Sequence, residues 1–446
     1  MGTGLLKELK KHCNIFVVFN DMNIPSSYKN KLLSEVQIIQ NPLKYENHYI
    51  QKRILKYIRL IHLFGMPSDP KYSACWVKRQ IFKKSNEYST IKKCFILFLS
   101  RLHSKVSIFR EIILYLYYFQ IDAKNFSELL KKYKIDLVIV DGLPNLIPTS
   151  SNWIKAGKIL NIKTISIITN WDHPTCRGYI SIKSDRYLVW SKSMQFELRK
   201  YHDININNIH IKGSLIFDNY FKPNFILNLR ELGIKKTNLE KEKYILFLTN
   251  SPNYPHNFKI ISYILNKLPD HIHLVVRLHP SFLHKQYKVR LDRHIRLSQK
   301  EKVSYFFPKL ENSNLPGDMS IQEMQISSSL VAHAHVVINM WSTMILDCLI
   351  SKKNLINIDF DWEPNDWSVQ KLSLARYRQY ISRVLDNKRM YFAKDKDQLM
   401  PLINSLYQMP FNKHDLPNLY DENVKNECGI LDGKVRSRMV NAIRLL

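Results

Sequence analysis

The sequence predicts an α/β protein made of two consecutive halves, each a doubly wound parallel sheet, with a cleft between them. Three observations predict it. Short apolar runs alternate with stretches of helical periodicity, the pattern of β-α-β units. Most of these runs stop at a polar or glycine-containing turn. Between about Asn219 and Lys243 the alternation lapses around Pro223, Gly233 and a charge cluster, and then it restarts.

In the first half, Asn14–Phe19 reads as a strand ending at Asn20-Asp21, and Ile135–Val140 as one ending at Asp141-Gly142. Asn152–Leu160 has helical spacing. Lys163–Ile168 is a third strand, closing on Thr169-Asn170-Trp171-Asp172. Arg186–Trp190 is a fourth, followed by a helix around Met194–His202, and Ile209–Lys212 is a short fifth before Gly213. The second half opens with the strand Tyr244–Leu248, a helix near Phe258–Leu268 and the strand His273–Arg277. Ser281–Gly317 shows no period and is expected to be irregular. The strand His335–Asn339, a helix over Thr343–Ile350 and the strand Asn354–Asp359 follow, and Lys434–Leu446 should be a final helix. The expected division is 1–222 and 223–430, with a helix at 431–446 that can return to the first domain.

Length and charge agree with two domains. At about 100–200 residues per domain, 446 residues suffice for two cores. Lys and Arg number 67 against 38 Asp and Glu, a net charge of +29, and residues 51–110 alone carry 14 basic and 2 acidic side chains. Such a field attracts polyanions: nucleic acid, an anionic lipid surface, or an acidic or phosphorylated glycan. Six widely spaced cysteines exclude a disulfide scaffold and any zinc spacing, which suits a reducing compartment. No apolar run reaches the roughly 18 residues of a membrane span, and Met1–Lys11 lacks the apolar stretch of a signal peptide. The expectation is a cytoplasmic chain, or one lying on a membrane without crossing it. Segments 51–64 and 91–120 can lie on an anionic leaflet; solvated core helices explain them as well.

Ligands of open α/β sheets bind in the loops after the strands, so candidate residues are sought there. After His335–Asn339, Ser342 and Thr343 open a helix, and hydroxyls with free amides at a helix start form a phosphate seat; Ser342 can equally be a plain cap. Arg277 and His279 leave their strand at alternate positions and can share one crevice, as phosphate fork and donor or acid–base group. Asn250 and Ser251 stand after Tyr244–Leu248, in a stretch that also reads as an ordinary turn. In the first half, Asn170–Gly178 gathers Trp171, Asp172, His173, Arg177 and Gly178. Asp172 is the first choice as general base and His173 the second, with Asp21 and Asp141 as rivals. The chain has no GxGxxG, GxxxxGK[ST] or GxSxG. Asp359-Phe360-Asp361 has the letters of a metal carboxylate pair, but a ribose contact fits its position at least as well. No metal and no cofactor are expected.

The order of these motifs resembles a known family. WDHPTCRG (171–178), SDRYLVWS (184–191) and IKGSLIFD (211–218) are similar to elements of bacterial surface-polysaccharide glycosyltransferases of the GT-B fold. RLHP (277–280) and VVINMWSTMILDCLISKKNLINIDFD (336–361) resemble the HP and Ser/Thr motifs of capsule sialyl- and Kdo-transferases and of CDP-glycerol glycerophosphotransferases. LDGKVRSRMVNAI (431–443) is similar to their ending. The resemblance implies a GT-B-like arrangement of two Rossmann-like domains facing a central cleft. It implies that His279, Ser342 and Thr343, with Arg277 nearby, hold the nucleotide phosphates of a sugar donor. It implies that Trp171–Gly178 faces the sugar or a glycan or lipid-linked acceptor. His173 stands where the pattern has Asn, and Arg177 replaces Lys.

The leading function is therefore metal-independent transfer from a nucleotide-sugar donor to a glycan in surface polysaccharide or lipopolysaccharide biosynthesis. Two alternatives keep the fold: a CDP-glycerol-type glycerophosphotransferase and a UDP-sugar epimerase. A third, a basic nucleic-acid-binding protein, is disfavoured because no RNA or DNA module is present and the charge is diffuse.

Overall fold

Apolar strands followed by amphipathic helices dictate parallel sheets, and the described residues of the computed structural model form three of them, one a two-stranded pair. It describes residues 4–18, 36–39, 49–66, 74–85, 87–143, 148–234, 243–309, 320–366, 371–410 and 422–445. Its strands are β1 (Phe16–Val18), β2 (Gln37–Ile39), β3 (Leu137–Asp141), β4 (Lys163–Ile167), β5 (Arg186–Val189), β6 (Ile209–Ile211), β7 (Ile245–Leu248), β8 (Leu274–Arg277), β9 (Val303–Phe306), β10 (Val336–Asn339), β11 (Asn354–Ile358) and β12 (Met390–Ala393).

The second half forms one sheet in the order β12-β11-β10-β7-β8-β9, parallel at every pair. Numbered within that half, this is the 3-2-1-4-5-6 order of a doubly wound dinucleotide-type sheet, read from its other edge. The order reverses between β7 and β10. Every residue of β7, β8 and β10 is buried, which explains why these strands read as unbroken apolar runs rather than alternations. In the first half β3, β4, β5 and β6 pair in chain order, again parallel, and β1 and β2 form a separate parallel pair.

The segment from 281 to 309, expected to be irregular, contains a helix, Lys288–Leu297, and β9. The helix is KVRLDRHIRL and buries only His294 and Leu297, so it leaves no apolar period to read. β9 lies at the sheet edge with three of its four residues half-buried. The remainder of that expected segment, 310–317, lies outside the described residues, as does the loop Asn20–Ser27 with Asp21.

The last helix, Val435–Arg444, packs on Leu5–Leu9 at the other end of the chain. The Asp218 carboxylate clamps its entry, accepting N–H groups from Gly433 (2.8 Å) and Val435 (3.0 Å). Gly429 is essential to this return: its φ is +76°, and a Cβ there would stand 2.1 Å from the Trp190 carbonyl oxygen. Two of the recognised motifs, IKGSLIFD and LDGKVRSRMVNAI, are thus one structural joint.

Candidate functional site

The switch between β7 and β10 is where a doubly wound sheet opens a crevice at its carboxyl edge. Three loops are tied together there. The Thr249 hydroxyl accepts the His279 N–H at 2.8 Å, joining the loop after β7 to the loop after β8. Asn250 Nδ2 donates to the Met340 carbonyl at 3.2 Å, joining it to the loop after β10. Asn250 is itself fixed, its N–H donating to Asn257 Oδ1 and its Oδ1 accepting from the Ser251 N–H. The fold therefore collects Asn250, Ser251, His279, Ser342 and Thr343 on one edge.

The turn after β10 is unusual. Buried Asn339 accepts the Met340 N–H (2.9 Å) and the Ser342 hydroxyl (2.7 Å). Trp341 has φ +57°, a left-handed conformation rare for a bulky residue, and it is held by stacking on Phe392. Ser342 does not cap a helix, as its hydroxyl was free to do from sequence. The helix begins at Met344 with Thr343 as N-cap, makes no side-chain cap bond, and has only seven residues. The hydroxyls, rather than a long macrodipole, define this edge.

His279 presents one defined donor. Burial, and then the Arg277 charge, push its imidazole down to about 4. Its Nδ1 accepts from the Ser281 N–H at 3.2 Å, which leaves the hydrogen of the neutral ring on Nε2. Arg277 is placed differently from the expectation of a shared phosphate fork. Its guanidinium is buried, donating to Glu323 at 2.6 Å and to Ser327 Oγ at 3.1 Å on the helix Ile321–His333. Because that helix has a buried carboxylate of its own, a strand-end arginine turns toward it instead of the crevice. Arg277→Met should destabilise by about 3–5 kcal/mol by leaving Glu323 buried and unpaired. Arg277→Met/Glu323→Met should recover most of that loss in urea denaturation and keep donor binding.

The first half contributes the loop after β4. Asp172 and His173 are half-buried, and Asp172 Oδ1 and His173 Nδ1 are enclosed atoms without a hydrogen-bond partner among the described residues. Burial lowers the His173 pKa; Asp172 and Asp141 oppose it and Arg177 adds to it. This puts the rival carboxylate Asp141 into the same cluster. Trp171 and Gly178 do not line an acceptor surface. Trp171 is fully buried, its Nε1 donating to Glu427 at 2.7 Å and its ring packed edge-on against Tyr380. Gly178 has φ +83°, and a Cβ there would meet the His62 carbonyl oxygen and Leu63 Cα at 2.6 Å. It is glycine so that the loop can press on the helix Tyr49–Phe64. Arg177 is exposed.

Sequence reasoning missed what faces this loop. The segment 371–383 is anchored at the carboxyl end of β11, where Asp359 pairs with Arg376 (2.6 Å) and Asp361 accepts from the Ser373 hydroxyl (2.6 Å) and the Leu372 N–H. Those acidic side chains shape a loop. From it, Arg378 comes within electrostatic reach of Asp172. Burial works against the Arg378 charge, but Tyr380 and then Asp172 outweigh it and hold its pKa up. Arg378 Nε is buried without a hydrogen-bond partner among the described residues. No sequence signal marks it, because it does not follow a strand.

Beside this loop the halves are pinned. Glu427 accepts Arg383 through both oxygens (2.7 Å each), Ser193 Oγ–H and Trp171 Nε1–H, while Arg383 also donates to Glu197 at 2.6 Å. Tyr201 donates to Gln379 across the same seam. A cavity of about 760 Å³ opens against these groups, lined among others by Lys192, Phe196, Lys200, Tyr377, Asn423 and Asn426. Burial pushes Glu197 up to about 7, with Arg383 opposing and Glu427 adding. A carboxyl raised in this way stabilises the fold in its protonated form, fully below its unfolded value and less as pH rises through about 7. Glu197→Gln should flatten the decline of melting temperature between about pH 5 and 7.

One group among the described residues has metal-ligand spacing: His256, Glu363 and Asp366, with ligand atoms within 4.8 Å of one another. Lys259 already pairs with Glu363, and the Lys371 ammonium donates to the Pro364 carbonyl beside it. Two cations thus occupy the surroundings of that cluster.

No protein-family model matches the chain, and no curated protein matches it. Solved structures do. A UDP-GlcNAc 2-epimerase from Neisseria meningitidis bound to UDP-GlcNAc aligns at 12% identity over 100% of this chain and 96% of its own, with a TM-score of 0.49. A glycosyltransferase from Rickettsia africae aligns at 12% identity over 99% and 93%, with a TM-score of 0.48. A UDP-GlcNAc 2-epimerase from Methanocaldococcus jannaschii aligns at 14% over 87% and 96%, with a TM-score of 0.43. These likenesses concern the course of the chain and carry nothing about its chemistry.

Proposed function

We propose that the chain is a GT-B-like, nucleotide-sugar-dependent glycosyltransferase acting on a glycan in surface polysaccharide biosynthesis. The observation that carries this reading is the tied edge at the β7/β10 switch. There His279 Nε2–H, the second Asn250 Nδ2 hydrogen and the Ser251 and Thr343 hydroxyls offer neutral donors to an anionic leaving group, on a turn held by the Ser342–Asn339 bond, as a sheet of this order does for a nucleotide. The motif order resembling capsule and lipopolysaccharide glycosyltransferases supports the substrate class.

In this reading the acceptor hydroxyl attacks the anomeric carbon of the donor. Asp172 takes the hydroxyl proton, with His173 as the alternative. The carbon–oxygen bond to the phosphate breaks and the nucleotide departs with the electron pair. The charge that develops on its phosphate oxygens meets N–H and O–H donors, and Arg378 supplies a guanidinium from the segment facing Asp172. The reaction needs no metal on this account.

The test is product analysis with a panel of UDP-, GDP-, CMP- and CDP-activated donors and a glycan acceptor. Glycoside formed together with free nucleotide supports transfer. An isomerised nucleotide sugar without glycoside, or a glycerol phosphate product, would reject it in favour of an epimerase or a glycerophosphotransferase.

A further inference from the structure

The helices Thr90–Lys105 and Ser107–Gln120 follow one another, parted only by Val106 in an extended conformation. Each has a buried inward face and an outward apolar stripe. Ile96, Ser100 and His103 on the first helix, and Ile113 and Tyr117 on the second, face the interior. The apolar stripes, Ile91, Phe95 and Phe98, then Ile108, Ile112, Tyr115, Leu116 and Phe119, recur at spacings of three and four and face outward. These eight side chains are between 48% and 82% exposed, and among the described residues nothing covers them. Apolar patches of this kind mark interaction surfaces. The helix Tyr49–Phe64 differs: Leu55, Ile58, Ile61 and Phe64 are buried, so it serves as a core helix.

We infer that this two-helix face docks on an anionic lipid bilayer, with its outward stripes among the acyl chains and its lysines and arginines at the headgroups. Charge decides the occupant. Lys92, Arg101 and Lys105 are exposed on the first of these helices, the exposed charge on the second is Glu111, and the surrounding stretch 51–110 holds 14 basic residues against 2 acidic. Interfacial helices combine an apolar face with such basic side chains, and anionic headgroups attract them. A second copy of the chain would bring two positive fields together. Among the described residues no helix is long and apolar enough to cross a membrane, so the helices lie in the interface plane. This inference goes beyond the proposed reaction and does not depend on it.

The test is sedimentation of the full chain with vesicles of phosphatidylcholine alone, and with vesicles containing an equal part of phosphatidylglycerol. Binding is expected on the anionic vesicles, weakening with salt. Phe95→Ser/Phe98→Ser/Phe119→Ser should reduce it roughly tenfold or more without lowering the melting temperature, because these side chains are already exposed. A second variant, Phe119→Trp, should show a blue-shifted emission on the same vesicles, quenched by brominated lipid. Three results would overturn the inference: no binding of the native chain to anionic vesicles, binding unchanged in the triple variant with unquenched Trp emission, or a dimer in solution that the triple variant converts to monomer.

Discussion

His279→Ala should lower sugar turnover by about tenfold or more while the protein remains folded. The neutral ring offers one hydrogen on Nε2, because Nδ1 already accepts from Ser281. Removing a single preorganised donor from a developing charge commonly costs on the order of ten to a thousandfold. The structural loss is smaller, one partly buried hydrogen bond worth about 1 kcal/mol. Initial rates at saturating donor, with a melting curve on the same sample, separate the two. Ser342→Ala should act in the same direction by removing the hydroxyl and loosening the Asn339 turn. The histidine stays neutral over the working range, since its pKa is pushed down to about 4; the His279 contribution to rate should therefore be flat above about pH 5.

Arg383→Met is expected to cost about 3–5 kcal/mol of stability. The arginine holds both oxygens of Glu427 and one of Glu197, and those two carboxylates are 2% and 0% exposed. Without it, two acidic groups share a buried seam without the cation that pairs them, so one must take up a proton or the seam must open. Urea titration should show the loss, and it should be greater at pH 8 than at pH 6, where Glu197 is more readily protonated. Arg383→Met/Glu427→Gln should recover part of it.

Much of the scaffold was legible because fully buried parallel strands must be apolar along their whole length. Tyr244–Leu248, His273–Arg277, His335–Asn339 and Asn354–Asp359 all correspond to strands, within a residue or two at their ends. The tie between Asn250 and Met340 was legible only as two strand-end loops, since strand order is not written in local sequence. Side-chain direction was harder to read. Arg277 and Trp171 stand where ligand-binding residues stand, yet one answers a buried glutamate on a neighbouring helix and the other a glutamate 256 positions later. Arg378 and Arg383 were invisible for the complementary reason: they lie in an irregular segment whose position is set by Asp359 and Asp361.

The central claim is that the β7/β10 edge grips the phosphates of a nucleotide. Thermal-shift titration of the native chain and of His279→Ala/Ser342→Ala with UDP, CMP, CDP and GDP tests it directly. The account predicts that at least one nucleotide raises the native melting temperature and that the double variant loses that rise. An undiminished rise in the variant, or no rise with any of the four, would contradict it.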